Sequence, residues 1–187
     1  GNITYNRFVN IAATDEWDLI GSPVGNLLIS SFVTTNTNSS PATLATNDPY
    51  SAVGIYDNSD NSWENYSNSG SGWQADYFDV GRGYQMGTVD GGTQLLAFFG
   101  TISDENESQF VINNAGNGQG GKRWNLVANP YPSYLHANDD ADFTDNFLTE
   151  NEEMIDDEFL AIYGWDADGS GYTARGHDYN SNSEIYF

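Results

Sequence analysis

Trp17-Asp18-Leu19-Ile20-Gly21-Ser22-Pro23 returns 107 positions later as Trp124-Asn125-Leu126-Val127-Ala128-Asn129-Pro130. Val53-Gly54-Ile55-Tyr56 returns at the same spacing as Leu160-Ala161-Ile162-Tyr163. Two blocks in one register mark an internal duplication. Each Trp block alternates as a half-buried strand does, Trp/Leu against Asp/Ile or Asn/Val. A proline then ends the strand, because it has no N–H for the ladder. Around these blocks, aromatic and β-branched runs lie between Gly, Asn, Asp and Ser clusters, the pattern of short strands and tight turns. The expected fold is all-β: sandwich-like antiparallel sheets from the duplication, with at most one or two short helices.

The expected organisation is a first β module over 1–112, a Gly/Asn-rich joint over 113–121, and a second, incomplete copy over 122–187. Phe187 corresponds to Val80, so the second copy lacks a counterpart of 81–112. That favours a fragment or cleaved chain over two copies sharing one sheet system. Within the first copy, 75–80, 94–102 and 109–112 read as strands, 81–86 as a turn and strand, and 59–77 as a polar loop. The one helical candidate runs from Asp142 to Met154, with Asp140 and Asp142 placed to cap it. An aromatic before proline predicts a cis bond at Tyr131–Pro132.

Charge narrows the function. Five Lys and Arg face 27 Asp and Glu, a formal charge of −22 over 187 residues. Such a chain repels phosphate backbones, so nucleic acid is a poor partner. Anionic lipid surfaces are disfavoured on the same ground. No apolar run approaches the roughly 18 residues needed to cross a bilayer, so no membrane insertion is expected. With no Cys there is no disulfide, thiolate metal site or Cys nucleophile. Aromatics make up 14% of the chain, which separates it from disordered acidic sequences. The large negative charge calls for screening by salt or bound cations.

The stretch Trp124 to Pro130, continued by Tyr131-Pro132-Ser133, resembles the "WNLIGNPYPS" signature of large secreted proteins of Bacteroidetes, typically exported by the type IX secretion system. Gly1 to Val9 is similar to the strand that opens these modules, and Trp17 to Pro23 to their "WHLISSPV" element. Gly81-Arg82-Gly83-Tyr84 is similar to the "PGQGYMV" turn, and Leu96 to Ile102 to the following "VTFSGTL" strand. The resemblance implies a non-catalytic β-rich accessory module of a secreted or cell-surface multimodular protein, with other modules of that protein as partners. It carries over no catalytic residue.

The strongest local motif is Asp166-Ala167-Asp168-Gly169-Ser170-Gly171-Tyr172. Asp166, Asp168 and Ser170, with the carbonyl of Tyr172, match the head of a calcium loop, where alternate oxygens converge and Gly permits the turn. The twelfth position is His177 rather than a bidentate Glu, so another loop would have to complete the shell. The competing reading is a polar β-hairpin turn, since Asp-Gly and Ser-Gly favour positive φ. Asp57-Asn58-Ser59-Asp60-Asn61, near the matching place in the first copy, is a weaker match. Asp139, Asp140, Asp142 and Asp145 form a second acidic cluster. It reads either as a cation site relieving repulsion or as a solvated loop and helix cap.

Trp63, Tyr66 and Trp73 stand among Asn, Ser and Gly. Their rings could stack on the C–H faces of sugars while neighbouring amides bond the hydroxyls, making them the candidate carbohydrate-binding residues. Alternatively Trp63 and Trp73 pack onto the sheet as cross-strand partners. Trp17, Trp124, Tyr56 and Tyr163 recur at strand positions in both copies and read as core. No G-x-S-x-G, HExxH or P-loop pattern is present, and a carboxylate pair among 27 acids carries little information. The expectation is a non-catalytic module that binds a polysaccharide or cell-surface glycan. The alternative is a structural or adhesive spacer with no small ligand.

Overall fold

The chain divides into two compact units, Gly1–Pro132 and Ser133–Phe187. The computed structural model describes residues 1–12, 17–39, 42–58, 61–69, 76–102, 124–166 and 171–176. The fold is all-β, with antiparallel sheets in a sandwich-like layout and two short helices. The expected strand over 109–112 and the joint over 113–121 lie outside the described residues.

The first unit runs β1 (Asn2–Phe8), β2 (Asp18–Ile20), α1 (Ile29–Thr37), β3 (Thr46–Asn47), β4 (Tyr50–Asp57), β5 (Ser62–Ser67), β6 (Tyr84–Met86) and β7 (Leu95–Thr101). β1 and β7 pair as a two-stranded ribbon, with Tyr5 opposite Phe98. The other five strands form one sheet in the order β2-β6-β4-β3, with β5 also on β4. Strand period two sends alternate side chains inward. Leu96 and Phe98 of the ribbon are fully buried, as are Val53, Tyr84 and Met86 of the sheet, within about one part in a hundred. These residues, with Tyr66, Phe78 and the inner face of α1, make one apolar cluster. Phe32 of α1 packs on Phe98 at 4.8 Å between ring centroids and meets Phe78 edge-on at 5.2 Å.

Helix α1 was not legible in its Ser/Thr-rich, β-branched sequence, a composition of modest helix propensity. Packing holds it instead. Ile29, Phe32, Val33 and Asn36 face inward at helical spacing. Buried Asn36 then completes the edge of β7. Its amide donates to the Ala97 carbonyl at 3.1 Å, and its Oδ1 accepts from the Ala97 N–H at 2.8 Å. A sheet edge that a helix must cover thereby keeps its backbone groups paired.

The two Trp blocks meet consecutive stretches of the chain, β6 and the residues just before it. β2 pairs with β6, Leu19 opposite Gln85 and Ile20 opposite Tyr84. The Trp124 block pairs with the residues just before β6. The Gly83 N–H donates to the Leu126 carbonyl, and the Ala128 N–H to the Gly81 carbonyl, each at 2.8 Å. Between them Arg82 and Val127 form an antiparallel bridge. The Trp124 block thus belongs to the first compact unit. Gly81 makes the preceding turn at φ +74°, closed by the Arg82 N–H on the Asp79 carbonyl at 3.2 Å, a conformation few side chains adopt.

Three local expectations change. The 59–77 stretch contains strand β5, because Trp63 pairs with Tyr56 and Asn65 with Gly54. The described part of 75–80 is not a strand: Tyr77 makes a single bridge to Leu28, and Phe78 turns into the core. Among the described residues the cis peptide is Asp48–Pro49, not Tyr131–Pro132.

In the second unit, α2 (Phe147–Asn151) is followed by a 3₁₀ turn at Glu152–Met154, then β8 (Ile162–Asp166) and β9 (Gly171–Arg175) pair as a hairpin. The helix is shorter than the Asp142–Met154 expectation. Asn146 caps it, its Oδ1 accepting from the Thr149 N–H at 3.0 Å. Asp142 instead stabilises the turn before it.

Candidate functional site

On β4 and β5 the side chains of Tyr56, Trp63 and Asn65 face outward, with Gly54 opposite Asn65, while Val53 and Tyr66 face the core. Trp63 and Tyr56 are direct cross-strand partners. Their ring centroids are 5.3 Å apart with planes at 55°. That contact fixes the Trp63 indole, which stays 42% exposed. The Tyr56 hydroxyl donates to Asn61 Oδ1 at 2.8 Å, so the Tyr ring is also held in place.

Beside the aromatic pair runs a row of paired positions that carries two side-chain amides. Leu19, Gln85, Gly54 and Asn65 lie opposite one another across β2, β6, β4 and β5. Gln85 Nε2 donates to Asn65 Oδ1 at 2.7 Å. Gly54 is the reason the two amides can meet. A Cβ there would collide with Asn65 Oδ1 and stand 3.0 Å from Gln85 Nε2. The bond uses one donor and one acceptor, and each amide has further donor and acceptor capacity. The result is a fixed indole beside a pair of side-chain amides on an outward sheet face.

The Trp124 block borders this face. Asn58, next to the end of β4, donates to Asn125 Oδ1 at 3.5 Å, and Trp124 is 38% exposed. A side chain on Gly83 would collide with the Leu126 side chain, so this glycine admits the block at close range.

The three carbohydrate candidates therefore separate. Trp63 is exposed on the outer face. Tyr66 is 3% exposed and belongs to the core cluster, so its ring presents no outward platform, because it has the opposite strand parity to Trp63. Trp73 lies outside the described residues. Sequence reasoning missed Tyr56, Gly54, Asn65 and Gln85. Tyr56 and Trp124, read as core, are half-buried and exposed respectively, whereas Trp17 does pack against the core. Tyr163 is half-buried. The alternation Trp63-x-Asn65 was visible, but the partner strand that puts Tyr56 and Gln85 beside it was not.

For the metal candidates, Trp165 pairs with Tyr172 and Asp166 with Gly171 in the β8–β9 ladder. The side chains of Asp166 and Tyr172, and all of Asp168 and Ser170, lie outside the described residues. Among the described residues no group of three or more His, Asp or Glu is arranged to hold a metal ion. The acidic cluster acts locally. Asp142 Oδ1 accepts from the Thr144 and Asp145 N–H groups at 2.9 and 3.1 Å and from the Thr144 hydroxyl at 3.2 Å. Those bonds hold its carboxyl below the usual carboxylate range. Asp139 Oδ1 accepts from Asn146 Nδ2 at 3.0 Å and from the Thr149 hydroxyl at 3.4 Å, tying the loop to α2.

No helix among the described residues is long and apolar enough to cross a membrane. Comparison with protein-family models, curated proteins and solved structures gives no match for this chain.

Proposed function

We propose that the chain is a non-catalytic carbohydrate-binding module of a secreted or surface multimodular bacterial protein. The observation that carries this reading is the Trp63–Tyr56 pair beside the Asn65–Gln85 amides. Sugar rings offer two kinds of surface: apolar C–H faces and hydroxyls that both donate and accept. An immobilised indole fits the first, and two coupled amides fit the second. Prior fixation by the cross-strand contact lowers the ordering cost of binding. The charge of −22 favours neutral or weakly charged glycans over sulfated ones. Export and surface location rest on the "WNLIGNPYPS" resemblance at Trp124 to Ser133.

The spacer reading has an observation of its own. Phe8 and Leu95 pair on the outer side of the β1–β7 ribbon, with Phe99 on the same face, and all three are about half exposed. Contiguous apolar surface of this kind suits packing against a neighbouring module.

Affinity electrophoresis against marine and plant polysaccharides separates the two. Retardation by at least one glycan is expected. Unaltered migration on a broad panel, with calcium present, overturns the binding reading in favour of the spacer.

A further inference from the structure

We infer that a depression beside the C-terminal half of α1 is a second binding site, for a single neutral sugar ring. The depression encloses about 290 Å³, at the lower end of the ~300–1,000 Å³ typical of small-molecule sites, so it suits one ring rather than an oligomer. It lies between α1, the β3–β4 turn and the end of β5. Thr34, Thr37, Thr46, Asp48, Tyr50 and Asn68 supply the chemistry of its wall.

Two of the wall's hydroxyls have their own protons engaged. Thr34 donates its hydroxyl proton to the Ser30 carbonyl and Thr37 to the Val33 carbonyl, each at 2.8 Å. With the protons committed to the helix, both oxygens present lone pairs. Asp48 adds a carboxylate. Its neighbour Asn68 is fixed by its own N–H on the Pro49 carbonyl at 2.9 Å and reaches Asp48 Oδ1 at 3.5 Å. These acceptors, with the Asp48 carboxylate, stand beside donor groups on Thr46, Tyr50 and Asn68, a mixed lining that suits ligand hydroxyls, which both donate and accept. Tyr50, 53% exposed, supplies an aromatic surface for a C–H face. No Lys, Arg or His lines the depression, which disfavours phosphate, sulfate and uronate groups. Its apolar lining is confined to Val33 and the two Tyr rings, too little for an acyl chain.

This site shares no residue with the Trp63 face and rests on the same reading of ligand class. The test is a ¹⁵N–¹H NMR titration of the full chain with four methyl glycosides: β-glucoside, α-mannoside, β-galactoside and N-acetyl-β-glucosaminide. At least one is expected to shift the amide signals of Thr34, Thr37, Thr46 and Asn68 saturably. Tyr50→Ala should weaken that binding at least tenfold and Asp48→Asn severalfold, while Trp63→Ala leaves it unchanged. Tyr50 is exposed, and Asp48→Asn preserves shape, so a folding defect in one variant leaves the other informative. The inference is overturned if no glycoside moves these signals, or if ethylammonium moves them and no glycoside does. It is also overturned if shifts are confined to the Trp63 indole and the Asn65 amide, a result that would leave the outer face standing. Native chain that no polysaccharide retards, with saturable glycoside shifts at Thr34 and Thr37, would overturn the Trp63 site and support this one.

Discussion

The two faces of the five-stranded sheet use the same strands for opposite purposes. On β5, Trp63 and Asn65 face outward, while Tyr66, the very next residue, is buried. On β6, Gln85 faces outward between buried Tyr84 and Met86. The inner face excludes water with aromatic and aliphatic side chains in one cluster. The outer face carries an aromatic pair and an amide pair. A one-residue slip of register would exchange the two sets. Strand parity, rather than residue type, thus decides which aromatic joins the core and which stays exposed.

Substitutions on the two faces should separate stability from binding. Tyr66→Ala removes a buried ring from the inner face and should cost about 3–5 kcal/mol of unfolding free energy, read by urea denaturation. A cost below ~1 kcal/mol would place Tyr66 outside the core. Tyr84 sharpens the same point through pH. Burial raises its phenol from the usual 10.0 to about 12, although the Asp79 N–H donating to its oxygen opposes the shift. The unfolded chain ionises this group first. Its stabilising contribution is therefore complete below pH 10 and is lost as pH rises toward about 12. The native chain should lose about 2–3 kcal/mol more than Tyr84→Phe over that interval. Equal losses would refute an inward, desolvated Tyr84.

Gly54→Ala tests the outer face where it is most tightly built. The added methyl meets the Asn65 amide and the Glu64 carbonyl, so about 2 kcal/mol of stability should go as the Asn65–Gln85 bond is displaced. An unperturbed Asn65 side-chain amide signal in NMR would show that the face adapts. Trp63→Ala should cost about 1 kcal/mol, because the indole is 42% exposed and gives up its cross-strand contact to Tyr56. A larger loss would make Trp63 a structural residue. In the second unit, the hairpin reading of β8–β9 predicts that a chelator leaves the melting temperature unchanged. A fall would instead place calcium at Asp166 and Asp168, since a ligand of the folded state alone adds stability.

The strand character of the Trp17 block, of 84–86 and of 94–102 was legible because short apolar alternations between Gly and Pro leave few alternatives. Helix α1 was hidden because its fourth inward residue is Asn36. The apolar stripe breaks there, and the reason for an amide, the unpaired edge of β7, lies 61 residues away. The site was half legible. Trp63 stood out as an aromatic in a polar stretch, but Tyr66 looked equivalent until pairing with β4 set its parity. Gln85 and Gly54 gave no local signal. Their part depends on three strands meeting in one row. The duplication predicted two like strands, but only the Trp17 block forms one, β2 on β6; the Trp124 block makes an isolated bridge, Val127 to Arg82, just before β6. Trp17 packs against the core while Trp124 stays exposed, since burial depends on what covers a strand.

The central claim is that the outer face binds carbohydrate while the inner face holds the fold. Affinity electrophoresis of the native chain and Trp63→Ala in the same retarding polysaccharide, with urea denaturation of both, tests it most directly. The account predicts at least a tenfold loss of affinity in Trp63→Ala at a stability cost of only about 1 kcal/mol. Undiminished retardation of a folded Trp63→Ala chain would contradict it.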